Sequence, residues 1–299
     1  MRITLLGTGA LACLFGAKLA ALGPVTLVGT WAEGLAALES RGIWLEEAGA
    51  VSIVRVGAAH LACPPSPADL VLVLVKSWQT AGVASHLPAL LKPAGLAVTL
   101  QNGLGNRETL GPHTCQGVTT LGATLLGPGQ VRLGGSGPTH IAGPVWITET
   151  LSQAGLETYA VVSSQMDSLV WGKLVANCGI NALTALLRVP NGELLARPEA
   201  AQNMERAAAE CADVARAKHI PLPYPDPVAH VREVAQRTAL NFSSMLQDVL
   251  RGAPTEIDAI NGAVVQEGRR LGVPTPVNEA LASSVRALSG RISDKLCRL

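Results

Sequence analysis

Apolar residues follow two different patterns along this chain, and the pattern changes near residue 165. Before that point, short runs of leucine and β-branched residues end at glycine-containing turns, as buried parallel strands do between helices. The strand-like runs are residues 2–6, 24–28, 70–75, 96–100, 118–126, 129–133 and 139–141. After Met166 the apolar residues recur at helical spacing. We therefore predict an α/β domain over residues 1–165 and an all-α domain over residues 166–299. The last three runs are expected to complete the same sheet, partly in antiparallel fashion.

The first strand leads into a glycine turn that is typical of nucleotide-binding folds. Residues 2–6 are followed by Gly7-Thr8-Gly9-Ala10-Leu11-Ala12, and helical spacing begins directly afterwards. The first glycine permits a tight turn, and the second lets the backbone approach a pyrophosphate. The helix N-terminus then offers free N–H groups and the positive end of its dipole. Ala12 stands at the third glycine position, where a small residue is needed for close packing. We predict a Rossmann-type dinucleotide-binding domain in which residues 7–12 contact the cofactor.

The end of the second strand bears on which dinucleotide binds. A site for NAD normally has an acidic residue here for the ribose 2′-OH, and a site for NADP has Arg or small hydroxyl residues. Gly29-Thr30-Trp31 contains neither the acid nor the Arg. Thr30 could donate to a 2′-phosphate and Trp31 could cover the adenine, so NADP(H) is the favoured cofactor. Alternatively, Trp31 is a helix-start residue that packs on the sheet.

Polar residues follow the next two strands at matching positions. Lys76 comes directly after residues 70–75, and Asn102 follows residues 96–100 beside another glycine turn. Taken singly, Lys76 could be a solvated strand end and Asn102 a turn former. Ligands of open α/β sheets bind outside the carboxyl ends of the strands, so the repetition favours a ligand-binding edge.

Residues 171–181 combine an apolar helix with a polar stripe. Lys173, Asn177 and Asn181 fall within an arc of roughly 80° on a helix, and the surrounding positions are mostly apolar. The helix should therefore be buried, with its polar stripe facing either a ligand or neighbouring loops that its amides cap. A lysine with its ordinary pKa of about 10.4 can polarise a carbonyl and donate a proton. A Schiff-base role would instead require a desolvated lysine with a lowered pKa.

Composition narrows the class of partner. The chain of 299 residues is 48% hydrophobic and 15% charged, with a formal net charge of +1. This favours a small-molecule partner over nucleic acid or a membrane surface. No apolar run reaches the length of about 18 residues that a spanning helix needs, and the first strand leaves no room for a signal peptide.

His113 and His140 lack companions at ligand spacing, so no metal site is expected. Six scattered cysteines without a Cys-x-x-Cys pair indicate a reducing, cytoplasmic setting.

Several motifs together make the sequence resemble the ketopantoate reductase family nearly from end to end. They are Gly7-x-Gly9-Ala10-Leu11, Lys76-Ser77-Trp78-Gln79, Gln101-Asn102-Gly103-Leu104-Gly105, Trp171-Gly172-Lys173-Leu174-x-x-Asn177-x-x-Ile180-Asn181-x-Leu183-Thr184-Ala185-Leu186, Asn191-Gly192-Glu193, Ser243-Ser244-Met245-Leu246-Gln247-Asp248 and Thr255-Glu256-Ile257-Asp258-x-Ile260-Asn261-Gly262. The resemblance implies a helical domain like that of 6-phosphogluconate dehydrogenase. It also implies NADPH-dependent reduction of 2-dehydropantoate to (R)-pantoate, on the pantothenate route to coenzyme A.

The resemblance also implies roles for individual residues. Lys173 would be the general acid, and Glu256 would assist it or hold the substrate hydroxyl. Lys76 and Asn102 would lie beside the nicotinamide and its ribose. The residues that match substrate contacts are Asn177, Asn181, Asn191 and Ser244.

Two of these residues also have ordinary structural interpretations. Ser244 and Thr255 begin two candidate capping boxes, in which Ser244 is an N-cap and Glu256 is an acid in the first turn of a helix. Three further alternatives stay open: a reductase of another small 2-oxo acid, a dinucleotide-sensing protein without turnover, and a homodimer formed through the apolar helical half.

Overall fold

The structure, a computed structural model, describes the backbone of residues 1–296 and the side chains of residues 1–288. Contacts divide the chain into two units. The first contains Met1–Gln101 and Gly105–Met166, and the second contains Asn102–Leu104 and the chain from Asp167 onward. The short segment Asn102–Leu104 therefore belongs with the helical unit, although it follows a strand of the first.

An eight-stranded sheet forms the centre of the first unit. The strands in chain order are β1 (Ile3–Leu6), β2 (Val25–Gly29), β3 (Ile43–Glu47), β4 (Ala50–Val54), β5 (Gly57–His60), β6 (Ala68–Val73), β7 (Leu91–Thr99), β8 (Thr114–Thr119), β9 (Gly122–Gly127), β10 (Gln130–Gly135), β11 (Thr139–Ala142) and β12 (Thr158–Ala160). The sheet order is β12-β11-β8-β7-β6-β1-β2-β5. From β5 to β8 all neighbours are parallel, which is the order of a Rossmann fold, and β11 then pairs antiparallel with β8. The predicted α/β fold class is confirmed.

Both faces of this sheet are buried, which explains its uninterrupted apolar runs. The helices of the unit are α1 (Ala10–Leu19), α2 (Ala32–Arg41), α3 (Thr80–Ala84), α4 (Leu87–Leu90), α5 (Asn106–Leu110) and α6 (Val145–Gln153). Leu5 belongs to the core that contains α1 and α6, whereas its neighbour Leu6 belongs to the core that contains α3 and α4. Successive residues of β1 thus serve opposite faces, as the period of two in a strand requires.

A second, four-stranded sheet in the order β4-β3-β10-β9 corrects the sequence prediction. Residues 118–126 were expected to form one strand of the main sheet, but the strand ends at Thr119 and the chain then enters the small sheet as β9. The prediction that residues 129–133 join the main sheet is also wrong, because β10 pairs with β3 and β9. The small sheet packs on α1, where it buries Ile43, Leu45 and Val131.

The second unit consists of helices around one apolar core. They are α7 (Ser163–Leu187), which begins in the first unit, α8 (Pro198–Ala217), α9 (Pro227–Arg237), α10 (Ser244–Leu250), α11 (Ala263–Leu271) and α12 (Pro276–Leu296). Helix α7 ends where Arg188 adopts a left-handed conformation with φ of 56°, two residues before Pro190. The predicted inner residues of α8, namely Met204, Ala208, Cys211 and Val214, are all fully buried.

Among the described residues, helix α7 meets the length and composition that a membrane-crossing helix requires. Within its most apolar window, 72% of the residues are buried inside the protein. A core helix of a soluble protein passes the same test of length and composition. Five of the cysteines are free thiols, and Cys297 lies outside the described residues.

Candidate active site

Helix α7 presents two polar side chains from an otherwise buried stretch. Every residue from Trp171 to Ala185 is buried except Lys173 and Asn177, which are half-buried. Asn181, one turn beyond Asn177, is only 6% exposed. The predicted helix with apolar surroundings is therefore confirmed, and its polar stripe becomes more buried towards the C-terminal end.

Glu256 supplies a carboxylate beside this helix. Its side chain is 5% exposed, and a charge buried to that extent requires partners. The amide Nδ2 of Asn102 donates to Glu256 Oε2 at 3.1 Å. The carboxylate also acts electrostatically on the ammonium group of Lys173. The second unit thus brings together an amine, a carboxylate and an amide from three separate parts of the sequence.

The environment of Lys173 changes its protonation equilibrium. Burial lowers the pKa of Lys173 from 10.5 to about 8, and the nearby carboxylate of Glu256 opposes part of this change. Near neutral pH the amine is still mainly charged, yet it releases a proton far more readily than an exposed lysine. A pKa close to the working pH is the property that a general acid needs.

The backbone shortly after Glu256 forms a π-helical turn, where the sequence indicates a capping box. The turn spans Asp258–Gly262 and carries no side-chain cap. Glu256 precedes it, and its carbonyl oxygen accepts hydrogen bonds from Ala259 N and Ile260 N, both at 3.1 Å. The prediction that Glu256 lies in the first turn of an α-helix is therefore wrong. π-Helical turns are rare interruptions of the regular α-helix, and they are frequently found at functional sites.

This π-helical turn also holds the segment that carries Asn102. Leu104 N donates to Ala259 O at 3.0 Å, and Gly103 has a φ of 86°. A Cβ at Gly103 would lie 2.3 Å from Ala259 O, so only glycine permits this approach. The glycine turn after the strand is evident from the sequence, but its spacing does not indicate that it packs on a turn more than 150 residues later.

Asn191 begins the 3-10 turn Asn191–Leu194 that follows α7, and Ser244 begins α10. Asn191 is 7% exposed, and its Nδ2 donates to Thr238 Oγ1 at 2.8 Å. Its backbone N donates to Asn241 O at 3.0 Å, so the segments around Asn191 and Asn241 run side by side. The Oδ1 atom of Asn191 is buried and accepts no hydrogen bond from the described residues.

The capping role predicted for Ser244 belongs to its neighbour. Ser243 Oγ accepts a hydrogen bond from Leu246 N at 3.1 Å and so caps α10, which makes Ser244 the first helical residue. Ser243 Oγ also accepts a hydrogen bond from Thr184 Oγ1 at 2.7 Å, which ties the start of α10 to α7. Ser244 is half-buried. Its side chain is therefore not needed as the cap.

The glycine turn after β1 has the features of a phosphate-binding turn. Gly7 has a φ of 138°, and a Cβ there would lie 3.0 Å from the Leu74 backbone, so packing requires glycine. A Cβ at Gly9 would meet no described residue within 4 Å. Internal packing therefore does not explain Gly9, whereas close approach of a pyrophosphate would. Gly9 is the N-cap of α1, whose first turn contains no acidic residue, and Ala12 is fully buried.

Trp31, which follows β2, packs on the first turn of α2. Its ring lies over Gly34, where a Cβ would be 2.3 Å from Trp31 Cε3, and Trp31 is the N-cap of α2. The ring thus covers the first turn of this helix, while Thr30 is exposed. Glu33 lies in the same first turn and is also exposed, an acidic residue that the sequence reasoning overlooked.

The ends of β6 and β7 are joined by a buried polar network. Gln101 Nε2 donates to Val75 O at 2.9 Å and to Thr80 Oγ1 at 2.8 Å, and Thr99 Oγ1 donates to Gln101 Oε1 at 3.0 Å. Lys76 is half-buried beside this network, at the start of a 3-10 turn (Ser77–Gln79). The network fixes the strand ends from which Lys76 and the segment after Gln101 project.

Comparisons with known proteins assign these features to one class. The family models described as "Ketopantoate reductase PanE/ApbA" and its C-terminal part match residues 3–144 and 165–289. The 2-dehydropantoate 2-reductase of Halobacterium salinarum is 38% identical over 301 residues, covering 96% of this chain and 98% of the relative.

Solved structures agree with these matches. The ketopantoate reductase of Ralstonia eutropha has a TM-score of 0.88 and 32% identity, covering 98% of this chain and 100% of its own. A D-mandelate dehydrogenase with NADH and anilino(oxo)acetate has a TM-score of 0.91 and 27% identity, with the same coverage. The chain is an oxidoreductase that uses a nicotinamide dinucleotide. It belongs to the ketopantoate reductase family.

Proposed function

We propose that the protein reduces 2-dehydropantoate to (R)-pantoate with NADPH, as a cytoplasmic enzyme of pantothenate and coenzyme A biosynthesis. The observation that carries the proposal is the placement of Lys173 beside Glu256, with the pKa of Lys173 lowered to about 8. Full-length relatives named 2-dehydropantoate 2-reductase support the substrate, and the free thiols are consistent with a reducing compartment. A small 2-oxo acid is thus the proposed partner.

The reaction needs a hydride at the carbonyl carbon and a proton at the carbonyl oxygen. The nicotinamide supplies the hydride when it is bound. Lys173 donates a hydrogen bond to the substrate oxygen, stabilises the charge that develops there, and transfers a proton as the alcohol forms. Glu256 keeps Lys173 charged and accepts a hydrogen bond from the substrate hydroxyl. Asn102 orients Glu256 by donating to its carboxylate.

The other proposed contacts divide between the two units. In the dinucleotide-binding domain, residues 1–165, we assign the pyrophosphate to residues 7–12, the adenine end to Thr30 and Trp31, and a place near the nicotinamide to Lys76. In the substrate domain, residues 166–299, Asn177, Asn181, Asn191 and Ser244 hold the acid. The unpaired Oδ1 of Asn191 supports this assignment, because a buried acceptor without a partner is suited to a substrate hydroxyl.

NADPH is the proposed donor because no acidic residue occupies the end of β2 and Thr30 is exposed there. Measured affinities for NADPH and NADH test this proposal, which is rejected if NADH binds more tightly. Glu33→Gln is the informative variant, since a carboxylate in the first turn of α2 would repel a 2′-phosphate. This variant should bind NADPH more tightly and NADH about equally.

A second candidate is reduction of a different small 2-oxo acid. It is favoured by the likeness to a D-mandelate dehydrogenase, whose backbone fits at least as closely as that of the ketopantoate reductase. The deciding experiment follows NADPH oxidation with 2-dehydropantoate and with phenyl- and alkyl-substituted 2-oxo acids. A higher kcat/KM for 2-dehydropantoate supports the proposal, and a clear preference for another acid replaces the substrate. Cofactor binding without turnover of any acid would indicate a sensor instead.

A further inference from the structure

Asn261 is a fully buried residue of the π-helical turn that follows Glu256. We propose that Asn261 is a positioning residue, which fastens this turn to helix α7 and so holds the carboxylate of Glu256 beside Lys173. The effect of Asn261 on catalysis rests on the proposed function. The hydrogen bonds of Asn261, from which the proposal is argued, do not depend on which substrate is reduced.

The side-chain amide of Asn261 uses both of its hydrogens. Nδ2 donates to Cys178 O at 3.1 Å and to Asn278 Oδ1 at 2.9 Å. Cys178 is on α7, one residue after Asn177 and five after Lys173. A single amide therefore connects the turn next to the carboxylate with the helix that carries the amine.

Hydrogen bonds to α8 hold both the side chain and the backbone of Asn278. Its Nδ2 donates to Ala207 O at 3.0 Å and to Glu210 Oε2 at 2.9 Å. Glu210 also accepts hydrogen bonds from the backbone N of Val277 and of Asn278, both at 2.9 Å, at the start of α12 where these groups have no helical partner. The acceptor that Asn278 offers to Asn261 is thus fixed by two residues of α8.

The remaining polar atom of Asn261 makes no hydrogen bond of its own with the turn or with α7. Its Oδ1 is buried and has no hydrogen-bond partner among the described residues, which is an unfavourable arrangement for a carbonyl oxygen. The two donated bonds are therefore what the site gains from this side chain. The same turn holds Leu104 through Ala259 O, so displacement of the turn would disturb both neighbours of Glu256, namely Lys173 and Asn102.

The test compares Asn261→Ala with Val231→Ala, which removes buried packing of α9 against α7 at Gly179 but none of the hydrogen bonds of the π-helical turn. The pKa of Lys173 is measured by NMR on protein with ¹³C-labelled lysine, with Lys173→Met assigning the resonance. Because the Glu256 carboxylate raises the pKa of Lys173, its displacement in Asn261→Ala should lower that pKa by roughly half a unit. In Val231→Ala the pKa should not change. A wild-type pKa in Asn261→Ala overturns the proposal whether or not any 2-oxo acid is reduced.

Steady-state kinetics provide the second readout. Asn261→Ala should lower kcat about tenfold, because small displacements of catalytic groups have large effects on rate, with KM for the dinucleotide unchanged. Equal kcat values for Asn261→Ala and Val231→Ala would assign Asn261 a purely structural role. If Asn261→Ala does not fold, Asn261→Leu decides, since it keeps the volume of the side chain but donates no hydrogen bond to Cys178 O, and it should lower the pKa of Lys173 in the same way. An unchanged pKa in that variant overturns the proposal.

Discussion

Replacement of Lys173 by methionine tests the central feature of the site, an amine whose pKa burial lowers to about 8. Methionine keeps the length and apolar stem of the side chain but cannot donate a proton. We expect kcat to fall by about 10² or more, the usual contribution of a positioned general acid. A change confined to KM would mean that Lys173 only binds the substrate.

The pH dependence distinguishes this lysine from an ordinary one. With a pKa of about 8, roughly nine in ten molecules carry the charged amine at pH 7 and roughly one in ten at pH 9. An unperturbed lysine would remain almost fully charged at pH 9. The kcat/KM for carbonyl reduction should therefore decrease between pH 7 and pH 9, with an apparent pKa near 8. A profile that stays flat to pH 10, or the same decrease in Lys173→Met, would refute the reasoning.

Three further changes probe the same cluster. Glu256→Gln keeps an acceptor for Asn102 but removes the charge that raises the pKa of Lys173, so the alkaline decrease in kcat/KM should move down by about one pH unit. Gly103→Ala should lower both Tm and kcat, because its Cβ would collide with Ala259 O and push Asn102 away; normal values would contradict the close approach. The free energy of unfolding of the wild type minus that of Lys173→Met should rise by the order of 3 kcal/mol between about pH 8 and pH 10.5, because the unfolded state binds the extra proton there. Denaturant titrations at several pH values measure this difference, and a constant difference would show that the pKa is not lowered.

The sequence allowed the prediction of features that depend on local pattern. The main sheet, the glycine turn at Gly7 and the long helix around Lys173 each follow from a run of residues with a recognisable period or turn. The sequence of that helix also indicated that Lys173 and Asn177 are polar positions among buried apolar ones. The small sheet was missed because β9 and β10 read as ordinary strands, and strand pattern does not specify which partner a strand will take.

Features that depend on contacts distant in sequence could not be predicted. The capping motifs near Ser244 and Glu256 follow a local rule, but Ser243 takes the cap because Thr184 holds its hydroxyl group. Similarly, the π-helical turn after Glu256 is held by Asn261 and by the backbone of Leu104, residues that no spacing relates to each other. Local preference was thus overridden wherever a buried polar group needed a partner.

The lowered pKa of Lys173 depends both on the local pattern of its helix and on contacts between residues that are distant in sequence. The mostly apolar surroundings of α7 remove water from the amine of Lys173, and this burial lowers its pKa. Glu256 limits the decrease, so its position relative to α7 sets the proton-donating strength of the amine. That position depends on the amides of Asn102 and Asn261, which are neutral and add no competing charge. A change in either amide should therefore alter the pH dependence of the reaction even though neither residue titrates.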